Sequence, residues 1–196
     1  LNVFPIVGEE GQKVEADNIS YKVSASWKPV ENLTTYATVS TGFRSPVANA
    51  RAGAVSLVDP NDLVIPDGAD SDELTNYEVG LKGRFFNGKV TSNLSAYYIL
   101  WEDIQVQANR LSDQVQFATN IGEAVSQGIE FELGYYPGNG FSLFLNGSLN
   151  DTEITELTAE EAAISGAEQG LQLAMPNFQG AATARYDFGI GDMDAF

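Results

Sequence analysis

The sequence predicts an all-β protein, an antiparallel up-and-down transmembrane β-barrel of which about seven strands are present. Three observations predict it. Seven segments alternate apolar and polar residues with period two, as strands with one apolar face do. Their connections alternate in length, short then long, so an up-and-down sheet gathers tight turns at one end and long loops at the other. The apolar phase is nearly free of charge, with Glu102 near a loop end as the exception, and carries aromatics beside the short turns.

The strand over 20–28 places Tyr21, Val23, Ala25 and Trp27 on the apolar phase against Lys22, Ser24 and Ser26. A Thr-rich strand covers 33–43, with Ala37 and Val39 opposing Tyr36, Thr38 and Ser40. In 76–86 the apolar set is Tyr77, Val79, Leu81 and Phe85, against Glu78, Gly80, Lys82 and Arg84. Asn87-Gly88 follows, the pair a type I′ hairpin turn favours because both central residues need φ > 0. The long strand over 89–107 alternates Val90, Leu94, Ala96, Tyr98 and Leu100 with Thr91, Asn93, Ser95 and Tyr97. In 127–136, Ile129, Phe131, Leu133 and Tyr135 oppose Glu130, Glu132 and Gly134. The strands over 141–150 and 178–188 repeat the pattern. Segments of this length, tilted, span a bilayer core. Long loops are expected over 44–73, 108–123 and 151–176. Trp27, Phe85, Tyr135, Phe141 and Phe188 are the aromatics beside the short turns. A soluble β-sandwich would alternate too; the loop lengths and aromatic placement favour the barrel.

The charge balance is 10 Lys+Arg against 27 Asp+Glu, a net charge of -17, which argues against a nucleic-acid partner. With no Cys and no His, thiol catalysis, imidazole triads and Cys/His zinc sites are excluded. Glu130 and Glu132 alternate on one wall without a cleft or nucleophile arrangement, so no enzymatic site and no cofactor is expected. Acids crowd two loops: Asp59, Asp62, Asp67, Asp70, Asp72 and Glu73 in the first, and Asp151, Glu153, Glu156, Glu160, Glu161 and Glu168 in the last. Their spacing matches no EF-hand, so they read as a solvated surface rather than a metal site. Thr158 and Glu161 form a capping-box pattern for a short helix over 159–165, with Gly166 as its stop.

Four motifs occur in order. Residues 36–46 read YATVSTGFRSP; 73–82 read ELTNYEVGLK; 93–105 read NLSAYYILWEDIQ; 120–132 read NIGEAVSQGIEFE. This series resembles the barrel of TonB-dependent outer-membrane receptors, through Gly42, Phe43, Arg44 and Pro46, then Glu73, Tyr77, Glu78, Gly80 and Lys82, then Trp101, Asp103 and Ile104, then Asn120, Gly122, Ala124, Gly128 and Glu130. The resemblance covers about 21–196. It implies that residues 1–196 are part of a 22-stranded barrel, with the plug domain and the final strands outside this chain. The start at Leu1, the acids Glu9, Glu10, Glu15 and Asp17 that follow, and the end at Phe196 read as the cut ends of a longer protein.

It further implies an outer-membrane active transporter in contact with lipid, opened through its plug by the inner-membrane TonB–ExbB–ExbD system and the proton-motive force. The ligand most expected is a ferric siderophore; cobalamin, haem and oligosaccharides stay open. For an anionic iron chelate the natural contacts are Arg44, Arg51 and Arg110; for a sugar, Trp101 or Phe117. Glu78, Lys82, Arg84, Glu130, Glu132 and Arg185 project to the polar phase, toward the lumen or a plug. Gly42 and Gly80 read as sites of close approach or bending. A complete eight-stranded structural barrel and a soluble sandwich module are the competing readings.

Overall fold

A computed structural model describes residues 18–173, 175–190 and 193–195. Glu9, Glu10, Glu15, Asp17 and Phe196 lie outside the described residues. The strands are β1 (Lys22–Val30), β2 (Leu33–Arg44), β3 (Val47–Ala48), β4 (Gly68–Ala69), β5 (Asp72–Phe85), β6 (Val90–Asn109), β7 (Gln116–Tyr135), β8 (Phe141–Glu156), β9 (Phe178–Tyr186), β10 (Phe188–Ile190) and β11 (Met193–Ala195). One helix, α1 (Ala159–Ser165), precedes β9. Strands β1, β2, β5, β6, β7, β8 and β9 form one antiparallel sheet in that order, each paired with its neighbour in the list. The sheet is a single layer, an open wall rather than a sandwich, and β1 and β9 form its two edges. No described helix is long and apolar enough to cross a membrane, which leaves crossing by strands untouched.

The register sorts the side chains. One row runs Ser26, Tyr36, Gly80, Ser95, Glu130, Ser148, Gln179 across the seven strands. The adjacent row runs Ala25, Ala37, Val79, Ala96, Ile129, Leu149, Phe178. Polar and apolar rows alternate because the side-chain period is two, so one face is polar and the other is an exposed apolar band holding Val23, Trp27, Val79, Leu94, Ile129 and Leu149. A band of this extent is a liability in water and the expected surface in lipid.

The short turns match the expectation. Asn87 and Gly88 have φ of 57° and 83°, and Phe86 joins them at 53°. The last strand of the sheet ends at Tyr186; Phe188 belongs to the small β10–β11 hairpin and stacks on Tyr186 at 6.1 Å. The long-loop ends differ. The expected loop over 108–123 is mostly strand: β6 and β7 pair out to Asn109 and Gln116, leaving a tight connection over 110–115. Asp103 at φ 54° is the reason the pattern breaks there. Beyond it Ile104 and Ile121 join Trp101 and Ala124, which belong to the polar-phase face lower down, in one apolar cluster.

Candidate ligand-binding mouth

The loop end carries a second folded layer built on the β6–β7 hairpin. The connection over 45–71 lies against this hairpin through side chains that imitate a backbone. Asn49 donates Nδ2 to the Ala118 carbonyl at 2.8 Å and accepts the Ala118 amide at 2.7 Å. Asn120 accepts the Asp70 amide at 2.7 Å and donates to the carbonyls of Asp70 and Asp103 at 3.0 and 2.6 Å. Ile65, Ala108 and Phe117 form a core joined by Ala54, Leu63, Val115 and Ile164, so both long connections and the hairpin share it.

In α1, Thr158 caps the helix and Glu161 closes the capping box, with Gly166 at φ 70° ending it as the sequence pattern expects. Glu161 also accepts the Gly122 amide at 3.1 Å, tying the helix to β7. The hydrogen bonds from Thr158 and Gly122 hold its carboxyl below the ordinary value. Gly122 is needed for this fit: a Cβ there would strike the Glu156 carbonyl oxygen.

The expected contact residues fall in different places. Arg44 leaves the end of β2 and pairs with Asp72, its Nε lying 2.8 and 3.0 Å from the two carboxylate oxygens. Its guanidinium stacks over the Trp101 ring at 5.1 Å, and the Trp101 indole N–H donates to Asp72 at 2.8 Å. Trp101 thus has one ring face taken. Arg110 is interior: its side chain is 2% exposed, paired with Asp113, and donates to the carbonyls of Ala54 and Leu63. Phe117 is buried in the shared core. Arg51 lies on the exposed surface of the loop, with no ion-pair partner among the described residues. The structure therefore brings Arg44 and Trp101 together, with no contact of either to Arg51 among the described residues.

The polar-face set does share one surface. The pairings put Glu78, Lys82, Arg84, Glu130, Glu132 and Arg185 on it together. Tyr36 donates to Glu78 at 2.6 Å under the Lys82 ammonium, Asn93 donates to Glu132 at 3.3 Å, and Tyr97 donates to Asn150 at 2.6 Å. Tyrosine rings lie over Gly80 and Gly128, which leave them room. Of Gly80 and Gly42, both expected to allow close approach or bending, Gly80 makes room for the Tyr36 ring, whereas a Cβ added to Gly42 would meet nothing within 4 Å.

Asp72 and Asn49 are the residues sequence reading missed; their partners come from strands far apart in the chain. On the apolar side, Glu73, Glu102 and Glu123 sit in one register row, with Glu156 next in line. This row closes the apolar band at its loop end. Among the described residues no three acids converge to hold a metal ion.

A model of the family described as TonB dependent receptor-like, beta-barrel matches residues 4–195. The ferric yersiniabactin uptake receptor FyuA from Yersinia pestis is 18% identical, with a TM-score of 0.64 over 88% of this chain and 23% of that one. The FrpB iron transporter from Neisseria meningitidis is 21% identical, with a TM-score of 0.63 over 87% and 24%. The siderophore receptor PiuA from Acinetobacter baumannii is 17% identical, with a TM-score of 0.59 over 85% and 23%. At these identities the likeness is one of fold, and the chain spans about a quarter of the length of these proteins. No curated protein matches the sequence.

Proposed function

Because the chain belongs to the TonB-dependent receptor β-barrel family, we propose that it is part of the wall and external mouth of an outer-membrane receptor that imports a scarce nutrient. The reading is carried by the sheet register, which joins seven strands into one wall with a continuous apolar face, a polar face and all long connections at one end. In that setting the apolar face meets lipid and the polar face lines the lumen, against a plug that TonB, ExbB and ExbD act upon from the inner membrane.

The nutrient is a ferric siderophore in this proposal, since the three structural relatives are named for ferric-chelate, iron or siderophore transport. Arg51, exposed and without an ion-pair partner among the described residues, is assigned to an anionic group of the chelate. Arg44 and Trp101 would add contact through the open part of their stack. Glu78, Lys82, Arg84, Glu130, Glu132 and Arg185 are assigned to the plug and to lumenal water.

The test is uptake of radio-iron chelates under iron starvation in a strain lacking the gene, with the full-length gene restored as control. Reduced uptake that the restored gene rescues is expected. Uptake unchanged by the deletion would remove the siderophore assignment.

A further inference from the structure

Arg110 was a natural candidate for ligand contact, yet its geometry serves another end. It follows β6 directly, in the tight connection over 110–115. Four of its five guanidinium N–H donors have acceptors within the protein. Nη1 reaches the Ala54 carbonyl at 2.6 Å and the Leu63 carbonyl at 3.0 Å; Nε and Nη2 reach the Asp113 carboxylate at 3.0 and 2.7 Å. The two carbonyls belong to the two limbs of the connection over 45–71, and Asp113 belongs to the hairpin. One buried side chain therefore holds both limbs of the loop to the hairpin.

The surroundings reinforce this tie. Ser56 and Ser112 bond Oγ to Oγ at 2.8 Å, and Asp62 accepts the Ser112 amide at 2.9 Å. Hydrogen bonds from Ser112 and Leu63, with the Arg110 charge nearby, hold the Asp62 carboxyl below its ordinary value. Beneath them lies the core of Ile65, Ala108 and Phe117, to which α1 contributes Ile164. A loop that swings freely has few buried contacts and exposed hydrogen bonds; this one has an apolar core and an interior guanidinium.

We infer that Arg110 is a positioning residue of the mouth: it welds the connection over 45–71 to the β6–β7 hairpin, so that this side of the mouth is preformed and takes ligand without the loop closing first. The inference rests on the proposed receptor function but goes beyond it. When a binding-competent arrangement is held permanently, apparent affinity is not reduced by the fraction of time spent elsewhere. Losing Arg110 introduces that reduction.

These 196 residues contain no cysteine, so Ser56→Cys with Ser112→Cys introduces the one pair within them, at positions whose side-chain oxygens already touch, and the same receptor without the two substitutions is the control for any thiol elsewhere. In the full-length receptor in its own outer membrane, mild oxidation is expected to close this disulfide. Uptake of radio-iron, supplied as a trihydroxamate and as a triscatecholate chelate, is expected to stay within about two-fold of wild type. Arg110→Ala is expected to raise the half-saturating concentration about ten-fold with the maximal rate unchanged, and the closed disulfide in that background is expected to restore it.

Three results would overturn the inference: a disulfide that does not form, uptake lost on oxidation and regained with reductant, or a half-saturating concentration that Arg110→Ala leaves unchanged. If the Arg110→Ala receptor fails to assemble, the disulfide in the otherwise native receptor decides alone. If wild type imports neither chelate, the ferric-chelate reading fails. The positioning role is then decided by hydrogen exchange: Arg110→Ala must speed exchange over 47–70 and the disulfide must slow it again, and equal rates overturn it.

Discussion

The carboxylate of Asp72, with none of its side chain exposed, is clamped by Arg44 from the neighbouring strand, whose side chain remains 48% exposed. Trp101 and the Gln105 amide donate to the same carboxylate, so three strands meet on one group at the base of the first external connection. Burial alone would raise the Asp72 carboxyl; the bonds from Arg44, Trp101 and Gln105 outweigh it and hold the group below the usual carboxylate range. Asp72→Asn is expected to destabilise the receptor by about 2 kcal/mol, below the roughly 3–5 typical of a fully buried pair because Arg44 keeps water contact. A depressed native pKa gives stability that is present above the unfolded value and lost as pH falls through the native one. The cost of the substitution should therefore shrink toward strongly acidic pH in urea unfolding, and a cost independent of pH would refute the clamp.

Gly128 and Gly42 make opposite demands within the polar face. A Cβ at Gly128 would meet the Leu149 carbonyl and lie 2.6 Å from the Tyr97 hydroxyl, which bonds Asn150. Gly128→Ala is expected to cost about 2 kcal/mol through this overpacking. Gly42→Ala, with open space around it, should stay within about 0.5 kcal/mol of wild type. Urea midpoints of the two variants in the same lipid check the pair; equal shifts would mean that the tyrosine–glycine packing contributes nothing.

The strands and their turn-side ends were legible because the two faces of the wall carry opposite chemistry on alternate residues, as at Tyr77 and Glu78. The short helix was legible because Thr158 and Glu161 sit within its own first turn. The external half of β7 was not, whereas β6 was legible out to Gln107. There Gln116 and Asn120 populate the β7 strand beyond the apolar band, so alternation fades. Asp103 at positive φ also interrupts the period. Asp72 read as one acid of a solvated loop because its partners Arg44 and Trp101 stand 28 and 29 residues away. Arg110 read as a ligand contact because its acceptors, the carbonyls of Ala54 and Leu63, lie far away in the sequence.

Asn49 substitutes for a strand neighbour, bonding both the amide and the carbonyl of Ala118 and also the Pro66 carbonyl at 3.1 Å. Removing it strands buried backbone groups, and leaving a buried donor or acceptor unpaired costs about 1–3 kcal/mol. Asn49→Ala should therefore loosen the connection over 45–71 by about 2 kcal/mol. Faster amide exchange at Ala118 and over 47–70, with the wall strands unaffected, is the expected signature. Uniform exchange changes across the sheet would assign Asn49 to global stability instead.

Glu123 behaves oppositely to Asp72. It stands in register with Glu102 on one side and Glu156 on the other, at the loop end of the apolar band. Partial burial, then the charges of Glu156, Glu102 and Asp103, push its carboxyl above the ordinary value. A carboxyl whose native pKa is raised binds protons more tightly in the folded state, so stability from it falls as pH rises through that value. Glu123→Gln, which removes the charge and keeps the shape, should therefore raise the urea midpoint at neutral pH. The gain should vanish well below the unfolded glutamate value of about 4.3, where both states are protonated. Like charges set directly opposite in a sheet are unfavourable, and Glu102→Gln should give part of the same gain by relieving the same row. A Glu123→Gln receptor less stable than wild type at neutral pH would show that the row is held by a favourable partner at the membrane surface rather than enduring its own repulsion.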